Sequence, residues 1–586
     1  MNNLTIKAFF EQSARDNANL PAVGMLNATP LTYNQLQKQI SDLSNKLTAI
    51  GIAKGDKVAI LSENRVEWVI SYLALTTMGA VAVPILNDFS TKEIQTILVH
   101  SESKILLVSD KNLSRIAGSI NLSFLQFVIS IEDFRINQEL SVCTPEQILQ
   151  YEKPEETLDA QYDVQDNDLA VIIYTSGTTG EPKGVMISHS NFKKAFEIHD
   201  KRLEMNKTDH SLSFLPLTHV FERTWSLYCT YKGAAITFLE DPKKIVETLA
   251  EVKPTAFCSV PRLYQKAYHL IHAKAEESSK IKQKLFYWAK AVGVKQTHYI
   301  RTGTSAPLTQ KIKYKIADLF LYKKVRAIFG GKMKLMPCAG AALSGEITQF
   351  FQSANLPVVI GYGLTETTAS VSVFPKINYV YGTIGVTLPE IEVKLGAENE
   401  ILVRGETVMK GYYKKPEETE KVFIEGWFKT GDAGEIDEFG NITLTDRIKD
   451  LMKTSGGKYI SPQQVESLLT NDNFIEQAVL IGDNKPYATA LLVPNFESLK
   501  VMAKSLNLLF ANHEELVNLK TVKDFYETKL NDLQKDIAKH EKIKKFKLLG
   551  HEFSMHNGEL TPTLKIKRKF VIEKFSKLIE EMYVIS

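Results

Sequence analysis

An α/β architecture is expected, built on a largely parallel sheet with helices on both faces, and three observations predict it. Short apolar β-rich runs alternate with helical patterns from residue 57 onward, the strand–helix–strand order of a parallel sheet. One such run, 169–174, leads directly into a loop of glycines and hydroxyls, where ligand loops of these sheets stand. Near residue 382 the pattern changes to short strands and turns, and from Pro462 to a mixed α+β pattern, so smaller units follow the first.

In chain order, residues 5–50 read as two helices split by a hairpin-like stretch around 24–31. Thr32 is placed to cap the second helix and Gly51 to end it. Residues 57–61 form a strand, 66–78 an apolar helix stopped by Gly79, and 80–83 the next strand. A helix over 91–100 and strands at 104–108 and 127–131 continue the alternation, and a polar linker, 152–168, precedes the strand at 169–174. A helix is expected over 189–204. Residues 265–335, Lys-rich with mixed faces, read as a solvated helical excursion, the simpler reading beside a membrane-surface role. Strands follow at 335–342 and 358–360, then a small antiparallel unit over 382–446. Beyond Pro462, strands are expected at 477–482 and 488–493 and a long charge-mixed helical region over 499–552.

Composition narrows the function classes. At 586 residues, 44% hydrophobic and 24% charged, the chain is ordinary globular material of more than one domain. A net charge of +3 makes no case for nucleic-acid binding. Cys143, Cys229, Cys258 and Cys338 are scattered, which argues for a reducing compartment without disulfides or a zinc site. No basic-then-apolar leader opens the chain and no long uncharged apolar run follows, so a cytoplasmic protein is expected, with peripheral membrane contact left open.

Chemistry concentrates in a few stretches. From Thr175 to Gly184 come four Ser/Thr hydroxyls, three glycines and Lys183, a composition suited to a phosphate. Pro182 before the lysine and Gly184 after it rule out a Walker A loop. Gly361-Tyr362-Gly363-Leu364-Thr365-Glu366-Thr367 offers a glycine-flanked aromatic, a hydroxyl and a carboxylate, suited to adenine stacking and Mg²⁺. Small residues at Ala339-Gly340-Ala341-Ala342 let a flat ring approach the backbone. His219 stands in a Pro-containing loop beside Glu222 and Arg223, and Asp432 and Arg447 follow in turn-rich sequence.

These motifs, in this order across nearly the whole chain, resemble those of the adenylate-forming (acyl-activating) enzymes. Segments 216–223 and 560–568 are similar to the fatty-acid branch, the long-chain fatty acyl-CoA synthetases. The resemblance implies a large N-terminal domain, 1–446, of two α/β subdomains plus a small β-barrel-like subdomain. A hinge at 447–450 then joins it to a smaller mobile α+β C-terminal domain, 451–586. It implies ATP, Mg²⁺ and coenzyme A as reactants with a fatty acid: carboxylate attacks the α-phosphorus, and coenzyme A thiolate then takes the acyl group. Thr175, Ser176, Gly177, Thr178, Thr179, Gly180 and Lys183 are implied phosphate contacts, with Thr175 and Glu366 at the metal. Tyr362, Gly363, Gly340 and Ala341 are implied at the adenine, Thr365 at the α-phosphate, and Asp432 with Arg447 at the ribose. Lys565 is implied as the catalytic lysine, although Leu564 stands where the family has glycine and Lys567 and Lys569 compete. Lys449 is the implied pivot, Ser455, Gly456 and Gly457 face coenzyme A, and His219 with Trp225 line the route from acyl pocket to thiol. A fatty acyl-AMP ligase loading a carrier protein shares the ATP motifs, and a homodimer stays open.

Overall fold

A computed structural model describes residues 5–142, 144–152, 162–175, 182–448, 450–455, 458–554, 556–560 and 566–584. Its largest sheet has eight strands, in spatial order Gly411–Tyr412, Lys183–Ser188, Leu169–Thr175, Val81–Pro84, Lys57–Leu61, Ile105–Val108, Phe127–Ser130 and Arg135–Ile136. The five from Leu169–Thr175 to Phe127–Ser130 run parallel, and the outer pairings are antiparallel. Helix Val66–Thr77 buries nearly every side chain against the sheet, which is why it reads as apolar all round. The punctuation works as expected: Thr32 forms a reciprocal capping box with Gln35, and Gly51 and Gly79 take positive φ.

One strand is new. Leu169–Thr175 pairs antiparallel with Lys183–Ser188, Thr175 opposite Lys183, so the strands on either side of the glycine- and hydroxyl-rich segment form the two arms of a hairpin. Helix His189–Asp200 begins only after that second strand.

A second sheet joins His210–Ser213, Ala235–Phe238, Pro21–Met25 and Leu31–Thr32, so the N-terminal hairpin pairs with a strand far along the chain, Val23 opposite Ile236. Bridges Ser211↔Ala256, Ala256↔Leu335 and Ser259↔Cys338 link it to a third sheet, which contains Met336–Cys338 and Val358–Tyr362. The expected small β unit is an antiparallel sheet of Glu392–Leu395, Glu400–Arg404, Trp427–Ile436, Phe423–Ile424 and Ile442–Arg447.

A separate apolar core spans Met452 to Met582. Strands Ile475–Ile481 and Ala488–Pro494 stand within two residues of expectation, and the helical region expected over 499–552 is helical only as far as Leu533. It divides into helices Phe496–Ser505, His513–Asn518 and Lys520–Leu533 and an edge strand, Ile543–Leu548. Asn507 at positive φ ends one helix and Asn512 caps the next. Exposed lysines on the edge strand explain why its charge resembled a helix surface. The two bodies meet at buried Asp446, which accepts from Gln463 N–H at 3.1 Å and lies 2.9 Å from Ser461 Oγ. Ser461 Oγ also lies 2.8 Å from Thr445 O, and Arg262 reaches Glu552 at 3.2 Å.

Candidate active site

Thr175 ends one strand of the hairpin and Lys183 begins the next. Ser176, Gly177, Thr178, Thr179 and Gly180 between them lie outside the described residues. The Lys183 ammonium sits 2.6 Å from Glu418 Oε2 and 5.2 Å from the Tyr412 ring centroid. Tyr412 donates its hydroxyl to Glu366 Oε1 at 3.0 Å. The lysine of one motif and the carboxylate of the other are therefore separated by a single aromatic side chain. Hydrogen bonds from Lys183 and then Lys421 hold the Glu418 carboxyl down at about 2.

Strand Val358–Tyr362 delivers Tyr362, and a 3₁₀ turn over Thr365–Thr367 presents Thr365 and Glu366. The turn leaves no side-chain room at Gly363, where a Cβ would lie 2.2 Å from the Ala369 carbonyl carbon. Thr368 and Ala369, neither of them glycine, both adopt left-handed backbone as the turn closes, a local strain typical of sites that fix a side chain. Met409 N–H donates to Glu366 O at 2.7 Å and anchors it. Burial raises the Glu366 carboxyl above its ordinary value, while the Tyr412 bond and nearby Arg447 pull the other way.

The Tyr362 hydroxyl donates to Asp432 Oδ2 at 2.6 Å, and Arg447 Nε pairs with Asp432 Oδ1 at 3.1 Å. Asp432 and Arg447 are partners across the Trp427–Ile436 and Ile442–Arg447 strands, which is how two turn-region residues come together. Burial, and then Asp432, push the Tyr362 phenol far up, so it stays a donor. Each carboxylate oxygen retains a lone pair for an incoming hydroxyl. Gly340, at φ +92°, turns the chain after strand Met336–Cys338, with Ala341 exposed beside it.

An apolar cavity opens against Tyr362, walled by Phe196, Phe221, Trp225, Tyr228, Cys338 and Val373. Helix Val220–Tyr231 supplies Phe221, Thr224, Trp225 and Tyr228 at the spacing of one helix face. Trp225 is fixed by its indole N–H, which donates to Ser211 Oγ at 2.9 Å. His219 is the N-cap of that helix, its ring nitrogen accepting from Phe221 N–H at 3.4 Å; it is not among the described residues lining the cavity. On another face, buried Glu222 accepts from Leu215 N–H at 3.3 Å and Cys258 Sγ at 3.2 Å, and burial pushes its carboxyl up to about 7. Arg223 is buried with its guanidinium over the Tyr72 ring.

The small body contributes Ser455, on an exposed turn whose N–H donates to Lys485 O at 3.0 Å. Lys449, Gly456, Gly457 and Lys565 lie outside the described residues. Tyr412 and Glu418 escaped the sequence reading; only the fold brings them to Lys183 and Glu366. No group of three His, Cys, Asp or Glu forms a ready cage among the described residues. The half-buried Glu366 carboxylate, linked through Tyr412 to Lys183, suits Mg²⁺, which keeps water and substrate phosphate among its ligands.

The model of the AMP-binding enzyme family matches residues 10–413, and that of the AMP-binding enzyme C-terminal domain matches 449–585. The chain belongs to the AMP-binding enzyme family. Among curated family members, it is 32% identical to the long-chain-fatty-acid–CoA ligase FadD15 of Mycobacterium bovis, over 95% of this chain and 92% of the relative. It is 30% identical to long chain acyl-CoA synthetase 3 of Arabidopsis thaliana, over 94% and 86%. Among solved structures, the anthranilate CoA ligase AuaEII with anthranoyl-AMP covers 99% of both chains at TM-score 0.75 and 18% identity. A Mycobacterium tuberculosis fatty acyl CoA synthetase covers 98% and 99% at TM-score 0.62 and 20% identity. These likenesses give the fold of AMP-binding enzymes, a large N-terminal and a small C-terminal domain.

Proposed function

We propose that this AMP-binding enzyme is an AMP-forming long-chain fatty acid–CoA ligase. The observation that carries the reading is the Lys183–Tyr412–Glu366 chain of contacts beside an apolar cavity that ends on Tyr362. The turn that presents Glu366 thus follows directly on the strand whose Tyr362 closes the apolar cavity. The curated relatives named for long-chain acyl-CoA synthesis, matched over nearly the whole chain, support the substrate class.

A fatty carboxylate approaching a polyanion is repelled, so fixed donors must offset the charge that develops. In this reading Thr175, Ser176, Gly177, Thr178, Thr179 and Gly180 cradle the β- and γ-phosphates, and Lys183 exchanges Glu418 for phosphate oxygen. Tyr362, Gly363, Gly340 and Ala341 shape the adenine site, while Asp432 and Arg447 hold the ribose. Thr365 contacts the α-phosphate. Thr175 and Glu366 would hold Mg²⁺, which supplies charge neutralisation at the phosphates. Lys565 bridges the attacking carboxylate and the α-phosphate. The domains divide at 447–450 with Lys449 as pivot; the smaller one, 451–586, then turns so that Ser455, Gly456 and Gly457 meet coenzyme A. His219, as the helix cap, sets the position of the Phe221–Trp225 wall. Membrane contact, favoured by a poorly soluble substrate, belongs to the same reading.

A panel of fatty acids from short to very long, assayed for AMP release and acyl-CoA with Mg²⁺ and ATP, tests it. Acyl-CoA formation rising with chain length is expected. Acyl transfer only to a carrier protein's phosphopantetheine, with none to free coenzyme A, would overturn it.

A further inference from the structure

We propose that the helical hairpin of Lys280–Thr302 and Leu308–Ala317 docks on an anionic lipid bilayer. This deepens the membrane contact named above and rests on that reading for the kind of partner. Residues 280–334 hold fourteen Lys and Arg and one acidic residue, Asp318, although the whole chain carries a net charge of only +3. That lone carboxylate is already paired with Arg326, at 2.6 and 2.9 Å. Lys290 and Lys334 are paired outside the stretch, with Glu346 and Asp209, each at 2.9 Å; the other lysines still concentrate positive charge on a nearly neutral molecule.

The same stretch leaves large apolar side chains in water. Ile281 is 80% exposed, Leu308 73%, Ile312 53%, Leu319 62% and Phe320 54%. They are not scattered. Helix Leu308–Ala317 buries Gln310 and Ala317 and ties Tyr314 inward through its hydroxyl to Ser353 O at 2.7 Å. Ile312, Ile316 and Leu319 each stand two positions beyond an inward residue, which at ~100° per residue is the opposite face. Lys311 and Lys315 flank that outer stripe on one side and Lys313 on the other. A π turn, Asp318–Tyr322, inserts an extra residue, so Leu319 and Phe320 project outward together while Leu321 and Tyr322 stay buried. On the companion helix Tyr287, Trp288 and Val294 are also exposed; Tyr and Trp are the side chains that settle at a membrane–water boundary.

An apolar stripe bordered by lysines matches a surface with anionic headgroups above an acyl layer. A second copy of the chain would set like charge against like. A nucleic acid would satisfy the lysines and leave Leu308, Ile312 and Leu319 in water.

The test is flotation of the full chain with vesicles of phosphatidylcholine alone and of phosphatidylcholine with roughly one-third phosphatidylglycerol. The unaltered protein is expected to float with the anionic vesicles only, and less so at high salt. Ile312→Glu with Leu319→Glu, and separately Lys311→Glu with Lys313→Glu and Lys315→Glu, should each cut the bound fraction about tenfold. Unaltered protein that does not float, or variants that float as well as it does, would overturn the proposal. So would a dimer in solution that Ile312→Glu with Leu319→Glu dissociates, or RNA binding with no vesicle binding. ATP–pyrophosphate exchange with a short soluble carboxylate should persist in both variants. Exchange missing from the unaltered protein faults the ligase reading alone, since flotation is scored without it.

Discussion

In the proposed reading Lys183 passes from Glu418 to substrate phosphate, which makes the pair a direct test at the scale of single residues. Lys183→Ala should raise the KM for ATP at least tenfold with a smaller change in kcat, measured by pyrophosphate exchange. Glu222 supplies a different test. Its folded carboxyl is pushed from 4.5 up to about 7 by burial, so the fold favours the protonated form. Between those values the unfolded chain has released a proton that the folded chain keeps, and stability falls as pH rises through the window. A displacement of that size corresponds to roughly 3 kcal/mol. Glu222→Gln should therefore flatten the decline in Tm between pH 5 and pH 8, followed by calorimetry. Thr175, Lys183, Tyr362, Glu366, Asp432 and Arg447 could be picked out as candidates because each stands in a short motif of the sequence. Tyr412 and Glu418 could not, since Glu418 lies 235 positions from the lysine it binds, and nothing near it in sequence records the meeting.

At the scale of elements, the strand–helix alternation was readable where burial is complete, because a strand covered on both faces leaves an unbroken apolar run. Strand Lys183–Ser188 was hidden by its place between a glycine-rich loop and a helix cap, although Val185 and Ile187 are fully buried in the ladder. The region over 499–552 misled for the opposite reason: charge without periodicity fits an edge strand as well as a helix surface. The 3₁₀ turn after Tyr362 depends on a backbone approach that only glycine allows. Gly363→Ala should displace Thr365 and Glu366 together and lower kcat/KM at least 100-fold. That loss corresponds to roughly 3 kcal/mol, while the melting temperature should fall by only a few degrees. A loss in KM for ATP alone would count against this role.

For the whole molecule, a core confined to Met452–Met582 and separate from those before residue 447 suits a body that turns as a unit. Lys565→Ala should abolish formation of the adenylate yet leave thioester formation from preformed acyl-AMP within a few-fold. Equal loss in both halves, measured in single-turnover assays, would contradict the alternating arrangement. The order of domains could be read from composition shifts near 382 and 462, but the surfaces they share could not, because residues such as Asp446 and Ser461 carry no mark of their partner.

On the proposed swing, the fastener at Asp446 would act as a clock. If the small body swings once per product, a sheltered carboxylate must shed Gln463 N–H and Ser461 Oγ every time, and the interval before it lets go sets a ceiling on throughput that no improvement in bond-making can lift. Asp446→Asn, which keeps the shape and weakens the grip, should quicken steady-state turnover wherever release is the slow event, and stopped-flow traces would show the lag shorten while the first burst keeps its height.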